Sequence, residues 1–214
     1  MKLTPFLDIC HIWVRSRLYR ARGRAVQVVL GSGRLPLGDR WIGTDIEVLD
    51  IADRQGWQRL FAPDSLDALL AEHVWEHLEP EQARAAAKNC FRFLKPGGYL
   101  RVAVPDGCHP SSDYRERVRP GGSGPGSEDH KTLYDYRSLS LLFSEAGFTV
   151  RLLEHFDEQG EFHDNGLDHE KGPIKRCRAN DPRNQNGTLV YTSLILDACK
   201  EPAQPAAPGS RRQP

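Results

Sequence analysis

Apolar positions along the chain fall into two kinds of pattern. Short, nearly unbroken apolar runs at 25–30, 41–44, 67–71, 99–104, 149–153 and 189–198 predict strands, with 67–71 buried on both faces, and a weaker run at 47–51 predicts another, third in chain order. Residues 80–94 instead carry an Ala-rich pattern of helical period starting beside Glu79. Residues 136–146 repeat the period and end at Gly147. Lys95-Pro96-Gly97-Gly98 predicts a turn that stops the first of these helices. At the front of the chain, 5–19 places Phe6, Ile9, Cys10, Trp13 and Val14 on one stripe, with Arg15, Arg17, Arg20, Arg22 and Arg24 following. A helix covering a sheet is expected there; Asp8 and the short apolar face argue against a membrane-surface helix. Strand and helix alternate, so the expected class is α/β: a Rossmann-like, mostly parallel seven-stranded sheet. No helical pattern separates the last two strands, which makes them a hairpin and the last strand antiparallel.

Composition bounds this picture. At 214 residues, 39% hydrophobic and 27% charged, the chain suits one domain at 25–200, preceded by the helix of 1–24 and followed by a tail at 201–214 rich in Pro, Ala, Gly and Ser that is expected to be disordered. A formal net charge of +0 argues against broad nucleic-acid binding. Five scattered cysteines with no C-x-x-C give neither a disulfide framework nor a cysteine zinc site, which makes a cytoplasmic setting the expectation. No apolar run reaches the ~18 residues of a membrane span, and no signal-peptide core is seen.

The chemistry begins at Gly31-Ser32-Gly33, where the first strand ends. The second strand ends in Asp45, twelve residues after Gly33. In the dinucleotide fold the ribose-binding acid lies about 20 residues beyond the glycines, across a helix that carries the pyrophosphate. Here Pro36 and Gly38 leave no room for that helix, so the first βα unit is shortened and the turn suits a ligand with a ribose but no pyrophosphate. Gly31 and Gly33 allow a sharp turn and close approach, and Asp45 can accept both ribose hydroxyls. Asp50, Asp53 and the Trp57 ring are candidates for the base. After the fourth predicted strand comes Glu72-His73-Val74-Trp75-Glu76-His77, which places Glu72 and His73 at the ligand-binding edge. His73 and His77 are four apart, yet Val74 stands where H-E-x-x-H has its glutamate, so no metal is expected.

The partner of that ligand should meet residues after the fifth strand. Asp106, His109 and the loop to Tyr134 lie there; 119–131, with its glycine-rich start, is expected to be a mobile lid ending in Asp129-His130-Lys131. His109 and His130 are the candidate general bases, with Asp106 orienting one of them. The insert at 156–187 is too long for a hairpin loop and is expected to serve specificity or homodimer formation, anchored through Phe156, Phe162 and Ile174.

The order of these motifs resembles the class I S-adenosylmethionine (SAM)-dependent methyltransferases over about residues 25–198. Gly31-Ser32-Gly33, Asp45, LDALLAEHVWEHL and LKPGGYLRVAVPD carry the resemblance, while VPDG with a nearby HP, DHK, FDEQGEFH and YTSLILDA are similar to a small bacterial group related to methyltransferase type 11 domains. The resemblance implies SAM as cofactor, bound by Gly31, Ser32, Gly33, Asp45, Ile46, Glu72 and His73. It implies methyl transfer but not the acceptor, which is expected to be a small molecule or glycan-like, with His109, His130 and Asp106 on the acceptor side. The missing first helix and the two glycines in place of three depart from the usual pattern. A non-catalytic methyltransferase-fold binding protein and, further off, an NAD-dependent oxidoreductase are the alternatives.

Overall fold

The computed structural model describes residues 4–33, 38–184 and 188–202. The expected break at Pro36 and most of the expected tail lie outside these residues. Seven strands form one sheet: β1 (Gln27–Leu30), β2 (Trp41–Gly43), β3 (Leu66–Glu72), β4 (Leu94–Pro105), β5 (Thr149–Phe156), β6 (Phe162–Asp164) and β7 (Ser193–Cys199). Their order is β2-β1-β3-β4-β7-β5-β6. The first four pair in parallel, β7 runs antiparallel between β4 and β5, and β6 pairs antiparallel with β5. The α/β expectation with an inverted last strand is met.

Helices α1 (Thr4–Ala21), α2 (Arg54–Leu60), α3 (Pro80–Phe93), α4 (Ser112–Val118) and α5 (Tyr136–Glu145) complete the fold. In α3, Pro80 occupies the first turn and the Glu79 N–H donates to Gln82 Oε1 at 3.1 Å; Ala83, Ala86, Ala87, Cys90 and Phe93 then face the core. No helix among the described residues joins β1 to β2. Instead Thr44 N–H donates to Val29 O and Ser32 N–H to Thr44 O, at 2.8 and 2.9 Å, tying the two strand ends together. No described helix is long and apolar enough to cross a membrane.

Four expectations need correction. Residues 47–51 form turns, not a strand: Val48 and Leu49 donate back to Asp45 O, while Leu49 and Ile51 plug the core. The chain then enters α2, capped by Asp53 through Gln55 and Gly56 N–H, and Trp57 is wholly buried, stacked on Phe93 with its Nε1–H on Ile51 O. Asp53 is thus a cap and Trp57 core, which removes both from the base-binding candidates. Lys95-Pro96-Gly97-Gly98 is no terminating turn either: β4 takes it in through a register shift, and Gly97 N–H and Gly98 O bond to Lys200 beyond β7. Gly98 is required there, since a Cβ would lie 3.0 Å from Asp67 O. The count of seven strands holds with β6, drawn from the insert, in place of 47–51. In α1 the buried face is Ile12, Ser16 and Tyr19, with Cys10, Trp13 and Val14 exposed; Tyr19 Oη donating to Asp39 O at 2.5 Å sets that rotation.

Candidate functional site

The carboxyl ends of β1, β2, β3 and β4 share one edge, where open α/β sheets bind ligands. At one side lies the glycine turn. Gly31 (φ +63°) and Gly33 (φ +53°) both occupy the left-handed region that favours glycine. They do different work: a Cβ on Gly31 would strike Val74 Cγ2 at 2.6 Å, whereas one on Gly33 would meet nothing within 4 Å among the described residues. The Asp45 carboxylate closes the turn by accepting Gly33 N–H on Oδ2 and Ile46 N–H on Oδ1, each at 2.9 Å. Ile46 is 64% exposed, an apolar face beside the acid. Ser32 is buried behind the turn.

At the end of β3, His73 adopts φ +57°, a costly conformation for a residue with a Cβ. Its N–H donates to Ala103 O at 2.8 Å, and its ring is fixed from two directions: Nδ1 lies 2.8 Å from Glu76 Oε1, and Nε2 lies 3.0 Å from Ser193 Oγ. Both carboxylate oxygens of its neighbour Glu72 accept N–H groups of the insert, from Lys175 at 3.2 Å and Arg176 at 2.8 Å, so it pins the insert.

Beyond His73 a cavity of about 690 Å³ opens, walled by His77 and His130 on one side, Tyr114 and Tyr191 on another, and the side chains of Arg117 and Arg176. Tyr191 carries the Arg183 guanidinium 3.4 Å above its ring, itself paired to Asp181. His130 Nδ1 lies 2.7 Å from Val118 O, which makes Nδ1 the protonated nitrogen because a carbonyl only accepts. The stretch 119–131 is wound by its own backbone bonds, Gly122 N–H to Arg119 O, Gly124 N–H to Arg117 O and Gly121 N–H to Ser127 O. A Cβ on Gly122 would collide with Glu116 O and one on Gly124 with Arg117 O, so these glycines serve tight winding, and Gly124 to Gly126 form a wall of the cavity.

His109 and Asp106 are not at that cavity. The His109 ring is buried, stacked on Tyr114 at 3.9 Å and met edge-on by Phe156, and burial pulls its pKa down to about 4. Its Nδ1 accepts Ser111 N–H. The Asp106 carboxylate, raised to about 6 by burial, accepts Cys108 N–H and Phe156 N–H and touches no histidine ring. Both are corrected from candidate base and orienting acid to parts that hold the loop after β4. The sequence signals missed were Glu76 and His77, inside a motif already singled out, and Tyr114, Arg117, Arg176 and Tyr191.

The family model described as a methyltransferase domain matches residues 11–153, more than half of the chain. The chain belongs to this methyltransferase family. No curated protein matches it in sequence. Among solved structures, an O-methyltransferase family protein from Burkholderia thailandensis is similar at TM-score 0.50 and 14% identity, covering 92% of this chain and 57% of that one. A SAM-dependent methyltransferase from Archaeoglobus fulgidus gives TM-score 0.49 and 17% identity, covering 87% of this chain and 93% of that one. These likenesses are of fold. SAM, the cofactor implied by the sequence resemblance, stands with the family, and the glycine turn at Gly33, the strand-end acid Asp45 and the exposed face of Ile46 fit a nucleoside.

Proposed function

We propose that this methyltransferase-family chain transfers a methyl group from SAM to a small-molecule or glycan-like acceptor bound in the cavity behind His73. The observation that carries this reading is the Asp45 carboxylate held at the β2 edge across Gly33 and Ile46 N–H, on the same edge of the sheet as His73, which lines that cavity. Bound there, SAM supplies a methyl group on a positively charged sulfur. Asp45 receives the ribose hydroxyls, Gly33 lets the backbone approach, Ile46 covers the base, and His73 borders the methionine end. Transfer then needs an acceptor atom in line with the methyl and a site closed to water. The wall of 119–131 and the insert supply the closure, and His130 is the histidine that meets the acceptor. Arg117 and Arg176, whose guanidinium groups have no side-chain partner among the described residues, favour an acceptor carrying negative charge.

A thermal-shift series tests the cofactor. S-adenosylhomocysteine (SAH) at ~100 times its Kd should stabilise the fold by about 2.7 kcal/mol, while NAD at the same concentration should not. A shift with NAD alone would overturn the reading in favour of an oxidoreductase. SAH binding without methyl release, across acceptor extracts of every class tried, would favour the non-catalytic alternative.

A further inference from the structure

The Glu76 side chain, between the cavity-lining His73 and His77 in sequence, has no hydrogen-bond partner among the described residues. It is fully buried, and neither carboxylate oxygen has a hydrogen-bond donor; His73 Nδ1 stands 2.8 Å from Oε1 but is not aligned to donate well. A buried carboxylate without donors is costly, because the lost hydration is not replaced. Two imidazoles stand beside it. A carboxylate oxygen of Glu76, one nitrogen of His77 and one of His130 all lie within 4.8 Å of one another. With ligand bonds of ~2.0–2.2 Å, a tetrahedral ion needs ligand atoms about 3.4 Å apart, so side-chain shifts of about an ångström complete the set.

We infer that Glu76, His77 and His130 form a binding site for a divalent transition ion of the zinc class, with an open coordination position facing the cavity. The contacts around the three residues suit the role. His130 commits Nδ1–H to Val118 O and leaves Nε2 with a lone pair; Asp129 Oδ2 stands 3.4 Å from His77 Nδ1, the carboxylate partner that metal-bound imidazoles commonly carry on their second nitrogen. Two neutral imidazoles and one carboxylate give the nitrogen and oxygen set of open zinc sites, whereas Mg²⁺ prefers oxygen alone. Since His77 and His130 line the cavity, an ion held by them would present its free position to whatever occupies it. Such an ion would make an acceptor hydroxyl bound to it more acidic, and His130 would then serve as a ligand and not as a base. The spacing in sequence concealed the site. His73 and His77, which look like the pair, are not the pair; His130 comes from 53 positions beyond His77 and is brought in by Lys131 N–H donating to Glu76 O at 2.6 Å.

The test is a calorimetric titration of the chelator-stripped full chain with ZnCl₂ and, separately, MgCl₂, with melting temperature as second readout and SAH titrated in parallel. One equivalent of Zn²⁺ should bind with a Kd at or below ~1 μM, raising the melting temperature, with Mg²⁺ at least ~100-fold weaker. His77→Ala and His130→Ala should each weaken Zn²⁺ at least ~100-fold and keep SAH binding, and His11→Ala on α1 should leave both unchanged. Glu76→Gln adds a third arm if it folds; the two histidine variants carry the test without it. No stoichiometric Zn²⁺ binding, or binding that survives both histidine changes, overturns the site. The site does not rest on the cofactor reading: loss of SAH binding in the unaltered chain would sink that reading and leave the metal result standing.

Discussion

Replacing His109 with phenylalanine should change how stability depends on pH about as much as it changes stability itself. Burial lowers the His109 pKa from 6.5 to about 4 and raises that of Asp106 from 3.8 to about 6. The signs are opposite. For His109 the unfolded chain takes the proton first, so stability is lost as pH falls through 6.5, and the loss ends near pH 4. For Asp106 the folded chain takes the proton first, so stability is gained as pH falls through 6. At about 1.36 kcal/mol per pH unit, going from pH 7 to pH 5 costs nearly 2 kcal/mol at His109 and returns about 1.3 kcal/mol at Asp106. Solvent near the imidazole trims the first figure to about 1 kcal/mol, so the two almost cancel. A phenyl ring in place of the imidazole would keep the stack on Tyr114 and remove one of the two opposing groups. It also deprives Ser111 N–H of its acceptor, a pH-independent loss of about 1 kcal/mol. Urea unfolding of both proteins at pH 7 and pH 5 measures the difference: relative to the unaltered chain, His109→Phe should gain about 1 kcal/mol on acidification. Parallel pH dependence in the two proteins would mean that His109 is not held neutral by burial, and would return it to the candidate bases.

Asp45→Ala should weaken SAH by about 1.5–3 kcal/mol, roughly 10- to 150-fold by calorimetry, with only a small change in melting temperature. Gly31→Ala and Gly33→Ala should separate packing from binding: the first meets Val74 and costs about 1–3 kcal/mol of stability, while the second adds only backbone strain of ~1 kcal/mol and loses SAH affinity. Equal melting temperatures in the two variants would contradict this. Arg101, buried with Asp197 at 2.8 Å and donating to Asp168 O and Gly172 O, ties the insert to β4; Arg101→Leu should cost about 3–5 kcal/mol in urea unfolding by stranding Asp197. Glu72→Ala should raise hydrogen exchange at Lys175 and Arg176 and leave SAH affinity within a factor of about two, since the lost contacts are the insert's; a tenfold loss of SAH affinity would restore Glu72 to the cofactor.

What was legible in the sequence was what local pattern controls. The helices α3 and α5 run for several turns with caps, and the strands of the parallel half are unbroken apolar runs, so their period survives any tertiary setting. Helices α2 and α4 have seven residues each, two turns, too few for a period to stand out, although Asp53 and Ser111 are caps by residue type. Residues 47–51 failed for a related reason: Val48, Leu49 and Ile51 are apolar because they plug the core from a turn, and alternation over five residues does not distinguish a plug from a strand. The turn proposed to meet the nucleoside was legible because Gly31, Gly33 and Asp45 act through backbone conformation and a strand end. The cavity was not, since His77 and His130 are neighbours only through the fold, and His109 was misplaced because nothing local says which of two loop histidines stacks on Tyr114.

The three stretches that build the cavity are each joined at the short 3₁₀ turn Trp75–His77 or at the strand end before it. Residues 111–132 attach through Lys131 and Thr132 N–H on Glu76 O, the insert through Lys175 and Arg176 N–H on Glu72, and the start of β7 through Ser193 on His73. Trp75, wholly buried against Phe143 of α5, fixes the turn itself in the core. The turn therefore works as a hub: its outward residues set where His130 and Arg176 stand relative to one another, and its inward residue couples that placement to α5. The strained φ of His73 follows from this arrangement, because the chain must leave β3 sharply enough to present Glu72 to the insert and Glu76 to residues 131–132 within five positions. Glycine at 73 would take the same φ without the cost but would lose the imidazole set against Glu76 and Ser193, so the cost of the left-handed conformation is offset by what the ring holds in place.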